Sequence, residues 1–223
     1  MKKLSIKKEL PIRKKVYNHI REQILNGLIP PNEQLSEAKI AREIGTSRTP
    51  VREALHNLEL ERLIRSTPSV GYVVAPLTEQ DVEQLCEIRE VIESLAARWA
   101  MEKAHKMLVQ ELSRNIASAE HEISKGNLRA FIEFDAQFHE IIAGLSGSEH
   151  LFEMSQFLRQ RMLRYRTQSI YTKENVVRAI EGHKGILKAV KSADAGAVGK
   201  AIKAHLGQSL KDILRFAFRQ KVT

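Results

Sequence analysis

The sequence predicts a mainly α protein: an N-terminal winged helix-turn-helix followed by an antiparallel six-helix bundle. Three observations carry this. Between Leu35 and Val74, two short helical patterns are split by a Gly-Thr-Ser turn and followed by a hairpin pattern. Beyond Pro76 there are no strand signals, only helical periodicity punctuated by Gly126, Ser146-Gly147 and Ser192-Ala193. The 223 residues leave room for two modest cores.

Taken in order, Ile12 to Asn26 reads as a first helix with Val16, Ile20 and Ile24 on its apolar stripe and Asn26-Gly27 as its stop. Ser36 is the N-cap expected for the next helix, whose apolar residues are Leu35, Ile40, Ala41 and Ile44. Gly45 sits just past it, where a left-handed residue is wanted. Ser47 then caps a helix running through Arg48 to Ile64. Pro50 falls in its first turn, where a missing N–H costs little, and Val51, Leu55, Leu58 and Leu63 line its inner face. Leu63-Ile64-Arg65, a turn through Thr67-Pro68-Ser69, and Gly71-Tyr72-Val73-Val74 form strand, turn and strand. Thr78 opens the second part with an acidic residue three positions on, close to a capping box, so the domain boundary is placed near Pro76, giving domains 1–76 and 77–223. Helical patterns then run over 78–103, 107–125, 127–145, 149–170, 173–191 and 194–219. Gly182, Gly185, Gly199 and Gly207 lie inside those patterns, where each either permits close helix approach or leaves space for a ligand.

The chain carries 36 basic and 27 acidic residues, a net charge of +9. Residues 1–76 hold 14 of the basic and 8 of the acidic ones, so two-thirds of the excess lies in the first third of the chain. A basic segment suits a phosphate backbone, although charge alone does not separate that from a merely soluble basic protein. Lys2, Lys3, Lys7 and Lys8 make the N-terminus a basic arm rather than a secretory signal. The single cysteine, Cys86, suits a reducing cytoplasm, and no stretch approaches a membrane span.

A helix that presents arginines at its exposed N-terminal end and packs on a preceding helix is how a helix-turn-helix enters the major groove. Ser47, Arg48, Thr49 and Arg52 stand at that end, and arginine reads guanine bidentately through O6 and N7. The plainer alternative is a helical hairpin with solvated arginines. The run T-S-R-T-P-V-R-E-A-L-x-x-L-E with the wing G-Y-V-V resembles the winged helix-turn-helix of GntR-type bacterial transcription regulators. The loop G-L-I-P-P-N-E-Q-L-S is similar to that family's first inter-helix loop, with Asn32 where glycine is usual. The resemblance implies a homodimer binding a near-palindromic double-stranded DNA operator. Ala38 stands where some relatives carry a DNA-contacting arginine, which leaves that contact to Lys39 or Arg42. The wing tip Pro68-Ser69-Val70 has no basic side chain, so its contact falls to Ser69 or to the backbone, as at Gly71.

The later motifs R-x-V-I-E-S-L-A-A, F-x-x-F-D-A-Q-F-H, E-G-H and A-H-L resemble the helical effector domain called FCD. Several polar residues there face the wrong way. On 127–145, Asp135 projects about 20° from Ile142 on the helical wheel, and His139 lies one turn further along the same face. His183 falls among Ile180, Ile186, Leu187 and Val190, and His205 borders the stripe of Val198 and Ile202. An unpartnered buried carboxylate is costly, and a divalent cation would satisfy all four groups. An Asp–His hydrogen bond beside two ordinary core histidines is the alternative. The resemblance matches the family's metal-binding variant at all four positions, and N/O donors suit zinc or nickel. His19, His56, His105, His121 and His150 have no such context.

Arg89 projects between Leu85, Ile92, Ala96 and Ala100, with Glu93 one turn away. A buried guanidinium needs an anionic partner. That partner is either Glu93 or, as the FCD resemblance implies, the carboxylate of a small organic-acid effector whose other end meets the metal. The expected function is a ligand-responsive transcription regulator and not an enzyme. Regulation by the metal itself and metal-dependent hydrolysis are the alternatives.

Overall fold

The computed structural model describes residues 10–68, 70–76, 78–166 and 172–218. The basic arm and Ser69 of the wing tip lie outside the described residues, as does the end of the helix expected to reach 170. The chain divides into two compact units, Met1–Leu77 and Thr78–Thr223.

The first unit contains helix α1 (Ile12–Leu25), strand β1 (Gln34–Leu35), helices α2 (Glu37–Ile44) and α3 (Arg48–Leu60), and strands β2 (Ile64–Thr67) and β3 (Gly71–Val74). α1 and α2 both pack on α3. Val16, Ile20 and Ile24 of α1 share its core with Ile40 and Ala41 of α2 and Val51, Ala54, Leu55 and Leu58 of α3. The Ser36 hydroxyl accepts from the Lys39 N–H, and Gly45 closes α2 at φ +74°. α3 stops four residues earlier than its apolar pattern suggests. Arg62 adopts φ +57°, so Leu63 is buried beyond the helix and Ile64 begins the wing. The sheet runs β1-β3-β2, both pairings antiparallel. β1, which periodicity missed, pairs Gln34 with Val73 and Leu35 with Tyr72. Asn32 has φ +68°, a left-handed conformation that favours glycine and that asparagine tolerates.

The second unit is helical. α4 (Glu79–Ser124) spans the two patterns expected at 78–103 and 107–125 and bends at Ala104 (φ −146°, ψ 34°). Ala104-His105-Lys106 contains no glycine or proline to stop a helix, so hydrogen bonding resumes after one distorted residue. The bend is braced on both sides: Lys103 Nζ donates to Ser146 O (2.7 Å), and His105 Nε2 lies 2.8 Å from Val190 O. A 3₁₀ turn at Leu128–Ala130 leads into α5 (Phe131–Leu145), followed by α6 (Glu149–Arg166), α7 (Lys173–Lys191) and α8 (Ala195–Ile213). A π turn, Leu214–Phe218, extends α8. Thr78, Thr172 and Asp194 cap α4, α7 and α8 through their side chains. α4 packs against α5, α6, α7 and α8, and α7 against α8. Ala96, Ala97 and Ala100 keep the first half of α4 slim, while Leu108, Leu112 and Ile116 fill the core along its second half.

Candidate functional site

In the first unit, Arg42, Ser47, Arg48, Thr49 and Arg52 are all exposed. Ser47 occupies the N-cap position in extended conformation but makes no side-chain capping bond. Arg52 is engaged within the protein. Its Nε donates to Glu37 Oε1 and its Nη2 to Glu37 Oε2, both at 2.9 Å, a bidentate bridge from α3 to α2. That bridge holds the Glu37 carboxyl below the usual range, against the opposing effect of its partial burial. Gly71 has φ +90°, which places the start of β3 in a conformation that L side chains rarely adopt, although an added Cβ would meet only Leu35 O at 3.9 Å. Sequence patterning did not single out Glu37 as part of this surface. Its signal was available: an acidic residue in the first turn of α2, beside a helix that begins with arginines.

In the second unit the four polar residues read as inward-facing are brought together. Asp135 and His139 come from one face of α5, His183 from α7 and His205 from α8. One donor atom from each lies within 4.8 Å of the other three. All four are buried, none more than 6 % exposed. Asp135 Oδ1 is 3.5 Å from His183 Nε2 and 4.0 Å from His139 Nε2. The His183 ring stacks on Phe138 with centroids 3.9 Å apart and planes within 5°. The His205 ring lies 4.7 Å from that of His183. Gly182 makes room for it: a Cβ at that position would fall 2.4 Å from His205 Nδ1. Among the described residues His139 Nε2 has no hydrogen-bond partner. A buried imidazole nitrogen left open amid two further imidazoles and a carboxylate is a donor set that fits a divalent cation.

Behind His139 stands a buried ion pair. Arg89 Nε donates to Glu93 Oε1 at 2.7 Å, so the internal partner is present. Arg89 Nη2 has no hydrogen-bond partner among the described residues. The second carboxylate oxygen, Glu93 Oε2, lies 2.8 Å from His139 Nδ1, in ion-pair range but without the alignment of a full hydrogen bond. Burial disfavours the ionised carboxyl, yet Arg89 and then His139 outweigh it and hold Glu93 well below the usual range. The contact with His139 was not visible in the sequence, because the two residues are 46 positions apart. A cavity of about 140 Å³ lined by residues of α5 and α6 reaches Asp135, with Glu140, Gln156, Arg159 and Gln160 as its other polar lining. Arg159 crosses between the helices, donating to Ala136 O at 2.6 Å and Glu140 Oε1 at 3.2 Å.

Two protein families match the chain, one in each unit. The FCD domain family matches residues 84–208, and the gntR family of bacterial regulatory proteins matches residues 12–74. The transcriptional repressor RspR of Escherichia coli (strain K12) is 27% identical, over 92% of this chain and 90% of its own length. The gluconate operon transcriptional repressor of Bacillus subtilis (strain 168) is 29% identical, over 81% of this chain and 76% of its own. The solved structure of E. coli McbR/YncC shares the fold, with a TM-score of 0.72 at 23% identity, covering 93% of this chain and 99% of that one. These relatives are transcription regulators, and the hydrolase alternative has no counterpart among them. The chain therefore belongs to the GntR family of bacterial regulatory proteins, a DNA-binding transcription regulator whose second domain is an FCD domain.

Proposed function

We propose that Asp135, His139, His183 and His205 hold one divalent cation, zinc or nickel, and that a small organic acid bound beside it sets the affinity of the winged domain for its operator. The observation that carries this is the buried set of four donors within 4.8 Å of one another, with Arg89 Nη2 open in the same core. Charge supports an acid as the partner. With neutral imidazoles, a divalent cation together with Asp135, Glu93 and Arg89 leaves one positive charge uncompensated among buried groups, and a carboxylate removes it. Arginine suits that role because its planar fork matches a carboxylate bidentately. The relative named for the gluconate operon points the same way, gluconate being a hydroxy acid. On DNA, Arg48 and Arg52 read bases at the head of α3, with Ser47, Thr49 and Arg42 on the backbone and the wing near Ser69 and Gly71 in the adjacent groove. A cytoplasmic homodimer on a near-palindrome is the matching assembly. One observation favours a second reading, the cation itself as signal: Glu93 already occupies Arg89 Nε.

The test uses a duplex selected from a random library by the wild-type protein. Operator affinity is measured by fluorescence anisotropy with and without Zn²⁺ or Ni²⁺ and across a panel of di- and hydroxycarboxylates. We expect an acid to change the affinity of metal-loaded protein about 5–150-fold, the usual span of allosteric coupling, and the operator to change acid affinity by the same factor. Arg89→Lys should lose the acid response and retain stoichiometric metal. Arg52→Ala should lose ~1–3 kcal/mol of operator binding. A response to metal alone, with every acid silent, leaves the cation as the signal. Stoichiometric metal in a His183→Ala, His205→Ala variant refutes the site.

A further inference from the structure

Glu93 touches two things at once, and the pairing gives it a task beyond neutralising Arg89. Its carboxylate sits on α4 with one oxygen 2.7 Å from Arg89 Nε and the other 2.8 Å from His139 Nδ1. All three residues are buried, Arg89 and His139 at 1% and 3% exposure. A neutral imidazole carries its proton on one nitrogen only, and a metal takes the lone pair of the other. Each ring nitrogen of His139 has a carboxylate near it, but Glu93 Oε2 lies 2.8 Å from Nδ1 and Asp135 Oδ1 4.0 Å from Nε2, and the closer approach places the proton on Nδ1. Nε2, on the cluster side, is then the lone-pair nitrogen. The ring is thus presented with the correct atom toward Asp135, His183 and His205. Arg89 in turn fixes the carboxylate, so the arrangement begins one helical turn earlier on α4.

We propose that Glu93 is a positioning residue of the metal site: braced by Arg89, its carboxylate fixes the tautomer and orientation of His139 so that Nε2 is available to a cation. This rests on the metal reading above, and it assigns Glu93 to the metal rather than to the effector. It makes Arg89 a strut as well as a ligand for an acid. Any anion that draws the guanidinium away from Glu93 loosens the support of His139, so acid and metal occupancy are linked through these two side chains.

Two measurements test it, and the first needs no metal. Imidazole ¹⁵N shifts of the metal-free full chain, recorded near pH 8, above the usual histidine range, should show His139 protonated at Nδ1. The same ring in Glu93→Gln should show a mixed population. An Nε2-protonated ring in the wild type overturns the proposal whether or not a metal binds. The second measurement is the affinity for Zn²⁺ and the visible absorption of bound Co²⁺. Glu93→Gln should weaken metal binding about 10–100-fold, the usual effect of losing an outer partner of a ligating histidine, and alter the Co²⁺ spectrum. Glu93→Asp, which keeps the charge, should recover part of both. Glu93→Gln leaves the Arg89 charge buried, so Arg89→Met, Glu93→Gln serves as the second variant and should show the same loss. A lower melting temperature with unchanged metal affinity and spectrum in either variant would mean that Glu93 only supports the fold. Failure of the wild type to bind metal at all would sink the metal reading and this proposal with it, whereas metal binding with an Nε2-protonated ring would overturn this proposal alone.

Discussion

At Gly182 a methyl group has nowhere to go, because the nearest atom belongs to a buried imidazole held between α7 and α8. Three residues along the same helix, Gly185 is exposed and an added Cβ meets nothing within 4 Å. In sequence both are glycines inside a helical pattern with a charged residue before them, Glu181 and Lys184, and the packing of α8 separates them. Alanine at 185 should therefore stabilise the protein by ~0.5–1 kcal/mol, the ordinary helix-interior gain over glycine. Alanine at 182 should destabilise it by ~1–3 kcal/mol through overpacking and should also weaken metal binding, since the ring that must yield is His205. Urea unfolding with metal titration on both variants checks this, and equal effects at the two sites would refute it. Arg52 shows a similar limit. Its exposure at the head of α3 was legible, but its bridge to Glu37 depends on how α2 crosses α3.

Among the elements, those with a full period of apolar residues were legible: α1, α5, α7 and the helix-turn-helix each state their buried face in their own sequence. Asp135 and His139 could be picked out because the apolar face of α5 leaves little doubt about its inward direction. β1 could not be, since two residues carry no period and exist as a strand only by pairing with β3. The continuity of α4 was hidden by a short polar stretch that looks like a stop and lacks the residues that make one. α1 and the end of α3 are joined by a contact of another kind. The Tyr17 hydroxyl donates to Glu61, whose other oxygen accepts from Arg21 Nε at 3.1 Å. Burial, and then the Glu61 carboxylate, push the Tyr17 phenol up from 10.0 to about 12. In the unfolded chain the phenol ionises near 10, so this contribution is complete below that pH and is lost as pH climbs through 10 toward 12. The stability difference between wild type and Tyr17→Phe, from urea unfolding followed by circular dichroism, should shrink across that window. A difference that stays constant with pH would mean that the phenol does not carry it.

For the molecule as a whole, charge and chemistry are divided between two units. Residues 1–76 carry most of the positive excess and the arginines at the head of α3, while the buried polar cluster belongs to the helical unit. Among the described residues no helix is long and apolar enough to cross a membrane. The burial of the cluster has a consequence in time. With Asp135, His139, His183 and His205 all buried on α5, α7 and α8, an ion seated among them would meet a chelator only when those helices part. Removal of metal by EDTA should then proceed at one first-order rate, independent of chelator concentration and equal to the opening rate read from hydrogen exchange in α7. A rate that rises in proportion to EDTA would reveal a direct route past Asp135 through the cavity between α5 and α6. Slow escape of this kind would make a bound ion a keepsake: the protein would carry the metal present when it folded, and a passing signal would be left to whatever can enter and leave faster.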